Sequence, residues 1–297
     1  MKMTARSWAM LALLSFLWGC SYFLIEIALE LPVLLLVAVR IMLAAVVLWA
    51  YVLLRGEQIP KQLSVWTAFL VMGLLNNVIP FSLIVWGQTE ITSSLASILN
   101  ATTPLFAVLI AAVWLRDEPV TPAKIIGVVI GFVGVSVMIG PGALTEIGGE
   151  VLAEIAVVLA GLSYACAGAF GRRFHRLNLS PAVAAAGQVT MSSLVLGAVV
   201  LLTHDFSVPL NASITAWAAV AAMAVFSTAF AYLLYFRLLA TAGATNLMLV
   251  TFLIPVTAIL LGVFLLQETL SAYEIGGMLL IFFALIVIDG RVFGVRR

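Results

Sequence analysis

Ten separate apolar runs, each close to bilayer-spanning length, dominate the sequence and fall at 7–29, 33–54, 65–87, 92–115, 122–139, 151–171, 181–202, 214–237, 244–266 and 272–290. A helix needs about 20 residues to cross the hydrocarbon layer. Backbone groups in lipid must be satisfied inside the spanning structure, so only helices and closed barrels persist there, and uninterrupted runs of this length exclude a barrel. With 64% hydrophobic and 9% charged residues, the chain could not cover a soluble surface, which typically carries about 25% charged residues. The expectation is an all-α membrane protein with ten transmembrane helices and no separate soluble domain. Lys2 and Arg6 before the first run give it the look of a signal peptide, but the run is long and no small-residue cleavage site ends it, so it reads as the first span.

Alternating the ten spans across a membrane puts every Lys and Arg except Arg40 on the face that carries both termini. Positively charged loops are retained in the cytoplasm, so both termini are expected there. Glu30, Glu90, Glu146, Glu150, Asp205 and Glu274 then face outward. Arg172, Arg173 and Arg176 lie next to a span and have no interleaved aromatics, which reads as an anchor to membrane lipid and not as a nucleic-acid patch.

The stretch from Ser94 to Glu118 returns as Asn246 to Glu268. A constant offset of 151 positions from Asn76 to Pro104 pairs Asn76 with Ser227, Asn77 with Thr228, Asn100 with Thr251 and Pro104 with Pro255. Residues 1–140 and 151–297 therefore read as two five-helix repeats joined by an external Gly- and Pro-rich linker at 141–150. An odd number of spans per repeat makes the second copy enter from the opposite side. Inverted repeats with the ligand site at their midplane interface are a transporter architecture, and exchanging the conformations of the two halves provides alternating access.

Candidate site residues follow from depth and type. Trp18 alone among the tryptophans sits at mid-span and not at a span end, with Tyr22 one turn away and Tyr164 at the corresponding place in the sixth span; they read as walls of a substrate cavity or as helix packing. Asn76 and Asn77, then Asn100, line the third and fourth spans, and Ser227, Thr228, Tyr232 and Thr251 line the eighth and ninth. Their alternative role is hydrogen-bonded glue between helices. Pro104 and Pro255 each follow a polar residue by four positions, so each is expected to free that residue's carbonyl within a continuous helix and act as a hinge. Arg40, about two turns inside the second span, calls for a partner or a path to water: an ion pair or a shared aqueous vestibule with Glu26, or snorkelling toward the interface. Gln188 stands at the matching place in the seventh span.

Gly127, Gly131 and Gly134 form a small-residue ridge for close helix contact. Cys20 and Cys166 lie inside spans and read as buried small side chains without a disulfide. No mid-membrane group of His, Asp, Glu or Cys offers acid–base chemistry or metal ligation, so neither an enzyme nor a cofactor or metal site is expected. The cavity implied is one of aromatics, amides and hydroxyls with no fixed charge at its centre, suited to neutral or zwitterionic small molecules. A proton-coupled exporter is the alternative and would draw on Glu26.

The residues Leu17-Trp18-Gly19, the spacing from Pro32 to Arg40, Pro104 with Leu115 to Glu118 and then Gly127, and Pro255 with Glu268 and Gly277 together resemble the drug/metabolite transporter superfamily, EamA type. Within it the chain is most similar to the YddG-type aromatic amino-acid exporters. The second half departs from the pattern in lacking a Trp-Gly pair and in carrying Gln188 in place of an arginine. The resemblance implies ten helices, cytoplasmic termini, residence in a bacterial inner membrane and export of small metabolites such as amino acids. A monomer is plausible.

Overall fold

The computed structural model describes residues 4–114, 121–140, 148–177, 179–204, 211–247 and 249–289. Glu118 and most of the 141–150 linker lie outside them. Every element is helical: α1 Ala5–Ala28, α2 Val33–Leu54, α3 Leu63–Gly73, α4 Ile79–Gly87, α5 Ser93–Asn100, α6 Thr103–Trp114, α7 Pro122–Ile139, α8 Gly149–Gly171, α9 Arg173–Arg176, α10 Pro181–Thr203, α11 Ile214–Ala222, α12 Ala231–Ala242, α13 Ala244–Leu247, α14 Val250–Leu265 and α15 Ala272–Asp289. Two π segments, Leu74–Val78 and Met223–Phe230, join α3 to α4 and α11 to α12. Among the described residues eight helices are long and apolar enough to cross a membrane, and Val250–Leu265 and Ala272–Ile288 are shorter apolar helices at the places of the ninth and tenth predicted spans.

Local sequence explains most boundaries. Thr4, Thr92, Thr121, Ser180 and Ser213 each cap a helix by accepting the backbone N–H three residues on, which satisfies one of the donors a helix start leaves free. Pro122 and Pro181 follow two of these caps, where a missing N–H costs nothing. Gly140 and Gly243, with φ of 75° and 81°, end α7 and α12 in a conformation other residues resist. Leu54, Val113, Leu202 and Ile214 stay exposed on the outside, the arrangement expected where lipid replaces water.

Helix contacts pair the halves. α1 packs on α14 and α8 packs on α6; α4 packs on α8, and α11 and α12 pack on α1; α2 meets α10, and α7 meets α15. Glycines set the closest approaches. A Cβ on Gly19 would lie 2.9 Å from the Ile254 carbonyl, and one on Gly134 would lie 3.0 Å from the Gly277 carbonyl. Gly127 and Gly134 thus seat α7 on α15, while Gly131 faces Leu105. This is the small-residue ridge expected from the sequence.

Two expectations need correction. Within 92–115, a stretch that counts as one of the eight spans, the helix is interrupted and not continuous: α5 stops at Asn100, and Pro104 is the second residue of α6. The Asn100 carbonyl, which Pro104 cannot serve with an N–H, is not left open as an acceptor: the Thr103 hydroxyl donates to it at 2.8 Å, and the Thr102 hydroxyl donates to the neighbouring Leu99 O at 2.6 Å. Threonines that bond back to the chain, followed by a proline suited to a first turn, favour ending one helix and starting another. Likewise 244–266 divides into the short α13 and then α14, where Pro255 is interior as expected.

Candidate functional site

Each half contributes one π segment, the first packed on α8 and α10 and the second on α1 and α2, and most of the polar candidates lie on them or beside them. In the first, the Asn77 amide donates 2.7 Å to the Tyr232 hydroxyl, and the Asn76 amide reaches the same oxygen at 3.2 Å. In the second, the Ser227 hydroxyl donates to Leu17 O at 2.8 Å, next to Trp18, and Thr228 accepts from Arg40. A π turn carries an extra residue relative to the α ladder and is frequent at functional sites. Here adjacent residues both reach out of their own span: 76 and 77 converge on Tyr232, while 227 and 228 reach α1 and α2.

Arg40 is the centre of this cluster. It is 4% exposed, Nε donates 3.0 Å to Thr228 Oγ1, and Cζ lies 4.3 Å above the centre of the Phe81 ring. Its charge acts on Tyr22, Tyr164 and Tyr232. Among the described residues no carboxylate pairs with it. The ion pair with Glu26, one of the arrangements expected, is therefore not formed, and Arg40 stands as a buried fixed charge beside a cluster expected to hold none at its centre. Arg40 turns toward the second π segment, where Thr228 and Phe81 hold it, while Glu26 lies one turn beyond Tyr22 toward the end of α1. A charged side chain inside a membrane span is costly, so the position demands compensation.

Around this centre stand the remaining candidates. Tyr22 is buried, with Asn100 of α5 near its hydroxyl, while Asn100 Oδ1 is buried without a hydrogen-bond partner. Trp18 is half-buried, its ring 5.8 Å from that of Tyr235. Tyr164 is half-buried on α8, and Thr251 is half-buried on α14, four residues before Pro255. In the second half, Gln188 is buried, and Ser192 of the same helix lies 3.5 Å from Asn77 Oδ1. Tyr235, one turn from Tyr232, stands out in the sequence of the eighth span as Tyr232 does, whereas sequence reading passed over Phe81, one of 17 phenylalanines with nothing to distinguish it.

A second polar group closes the end of the seam beyond Tyr22. The Glu268 carboxylate accepts Ser93 N–H at 2.8 Å, Ser94 N–H at 3.0 Å and the Ser94 hydroxyl, so a residue of the second half caps the start of α5. An anion is favoured at such a helix start. Gln88 donates to Tyr22 O at 2.9 Å, and Glu26 Oε2 is buried there without a hydrogen-bond partner. At the opposite end of α1 a cleft of about 250 Å³ is lined by Thr4, Arg6, Ser7, Met10, Arg237 and Thr241.

Apolar helices of membrane length around a buried polar seam define a multi-pass membrane protein of transporter type. The model of the EamA-like transporter family matches residues 6–140 and again 151–289, and the chain belongs to that family. It is 27% identical over 276 residues to the uncharacterized inner membrane transporter YedA of Escherichia coli K12, covering 92% of this chain and 87% of the relative. It is 24% identical to an uncharacterized transporter of Archaeoglobus fulgidus, covering 95% and 98%, and 26% identical to protein PecM of Dickeya dadantii, covering 92% and 88%. A solved crystal structure at 20% identity superposes with a TM-score of 0.69 over 97% of this chain and 99% of the other, a likeness of fold. The chain is accordingly a multi-pass inner-membrane transporter.

Proposed function

We propose that the protein exports small zwitterionic metabolites, amino acids including aromatic ones, by alternating access through the seam between two inverted repeats, residues 1–140 and 151–297. Both termini then lie in the cytoplasm. The observation that carries this reading is the seam itself: Arg40, Asn77, Thr228 and Tyr232 bring polar groups from both halves together at one depth, between the aromatic side chains of Trp18, Tyr22, Phe81, Tyr164 and Tyr235. The packing pairs support it too, since exchanging first-half helices for their second-half counterparts leaves the pattern unchanged. Polar groups buried between apolar helices are expensive and typically mark substrate pathways.

Counterflow of radiolabelled phenylalanine into liposomes preloaded with unlabelled phenylalanine tests the reading. Uptake is expected without any ion gradient, faster than in protein-free vesicles and reduced in Trp18→Leu, which removes the aromatic surface and keeps much of the apolar volume. Protein-free rates for every amino acid tried would refute it. A proton-coupled version has one observation of its own, the buried Glu26 Oε2 within reach of the Glu268 charge. It requires an imposed pH gradient to drive accumulation in the wild type and not in Glu26→Gln.

A further inference from the structure

Among the described residues the groups held against Arg40 are neutral. Thr228 takes the Nε donor, Phe81 lies under the guanidinium face, and Tyr22, Tyr164 and Tyr232 lie within electrostatic range of it. Phenols carry no charge at pH 7, and a ring face cannot accept N–H bonds that lie in the guanidinium plane. Buried charges in proteins are normally paired, yet among the described residues Arg40 has no carboxylate. The edge formed by its two terminal nitrogens is the part of the fork that a carboxylate engages through two parallel bonds.

We propose that Arg40 is the counter-cation for a carboxylate on the transported substrate, so that the cargo is a small organic carboxylate and not an uncharged molecule or a simple amine. This deepens the transport reading and rests on it. An independent observation fixes the other end of the ligand. Asn100 Oδ1 is a buried acceptor without a hydrogen-bond partner, on a residue near the Tyr22 hydroxyl, and Tyr22 also feels the Arg40 charge. A carboxylate at Arg40 and a donor such as an ammonium at Asn100 give an α-amino acid two separate hosts along one aromatic wall. The second half has the neutral Gln188 at the place of Arg40, so the seam takes one carboxylate and not two.

The test is ligand-dependent thermal unfolding of the purified protein, followed by tryptophan fluorescence, with L-phenylalanine, 3-phenylpropionate, L-phenylalaninamide and phenylethylamine. In the wild type the two carboxylates raise the unfolding temperature and the amide and amine do not. Arg40→Gln weakens the carboxylate Kd by roughly 10–100-fold, the size expected for a charge-assisted hydrogen-bonded pair. Arg40→Lys, which keeps the charge and loses the fork, falls between them. Should Arg40→Gln unfold, Arg40→Lys decides alone, with a loss of at least about threefold expected. Equal stabilisation by phenylalanine and phenylalaninamide overturns the proposal, as does wild-type affinity for carboxylates in either variant, or no response to any carboxylate. A carboxylate that binds through Arg40 but shows no counterflow leaves this site standing and refutes transport of that compound.

Discussion

Tyr232 holds the first π segment by accepting from both asparagine amides, one of them on a residue with 0% exposure. Removing its hydroxyl strands two donors, so Tyr232→Phe is expected to lower stability by about 1–3 kcal/mol, read as an earlier thermal unfolding transition. Adding Asn77→Leu to that variant should recover part of the loss, because the nearer of the two donors then disappears together with the acceptor; strict additivity of the two changes would show that the bond is not a coupled pair. A second residue-scale prediction concerns pH. Glu30, exposed after α1, accepts the Ser213 N–H at 2.6 Å and the Ser213 hydroxyl at 2.9 Å, and these bonds hold its carboxyl below the ordinary value of 4.5. A depressed folded-state pKa contributes stability that is present above the ordinary value and is lost as pH falls through the depressed one. Between about pH 5 and 3 the wild type should therefore lose slightly more unfolding temperature than Glu30→Gln, and parallel curves would remove Glu30 from the account.

Among the elements, the fourth and ninth predicted spans show where sequence reading stopped. The offset of 151 positions made Pro104 and Pro255 look equivalent, yet one opens a new helix after a break and the other sits inside α14. The difference comes from Thr102 and Thr103, whose hydroxyls bond back to the chain and stabilise the break without help from the proline. Their counterparts at the same offset, Leu253 and Ile254, have no hydroxyls to offer. Pro104→Ala is thus expected to change stability by less than about 1 kcal/mol and to leave counterflow near wild type, while Pro255→Ala, which restores a missing helix bond, should alter turnover. Comparing initial rates of both variants at saturating substrate decides this, and equal effects would return the two prolines to one role. Helix existence was legible because long apolar runs admit little else. The polar seam was legible in part, since an intramembrane asparagine, tyrosine or arginine stands out against leucine. What escaped was direction: Arg40 and Glu26 are close in depth along their helices, but depth says nothing about the azimuth at which a side chain leaves its helix.

For the whole molecule, orientation is the testable expectation. The positive-inside pattern predicts that a cysteine replacing Lys61 is labelled by an impermeant thiol reagent only from the cytoplasm and one replacing Glu90 only from outside. Cys20 and Cys166 should first be changed to alanine. Labelling of position 61 from outside would reverse the orientation of every helix at once. The π segments carry a further consequence for the assembly. An α-helix turns about 100° per residue, so an extra residue in the ladder throws the two ends of one span out of phase. The first π segment lets α3 lie along α10 while α4, on the same span, lies along α8. The second lets α11 and α12 both touch α1 while the stretch between them meets α2. Each of these spans is therefore built like a shaft with offset lobes: the neighbour gripped by one stretch of it is not the neighbour gripped by the next.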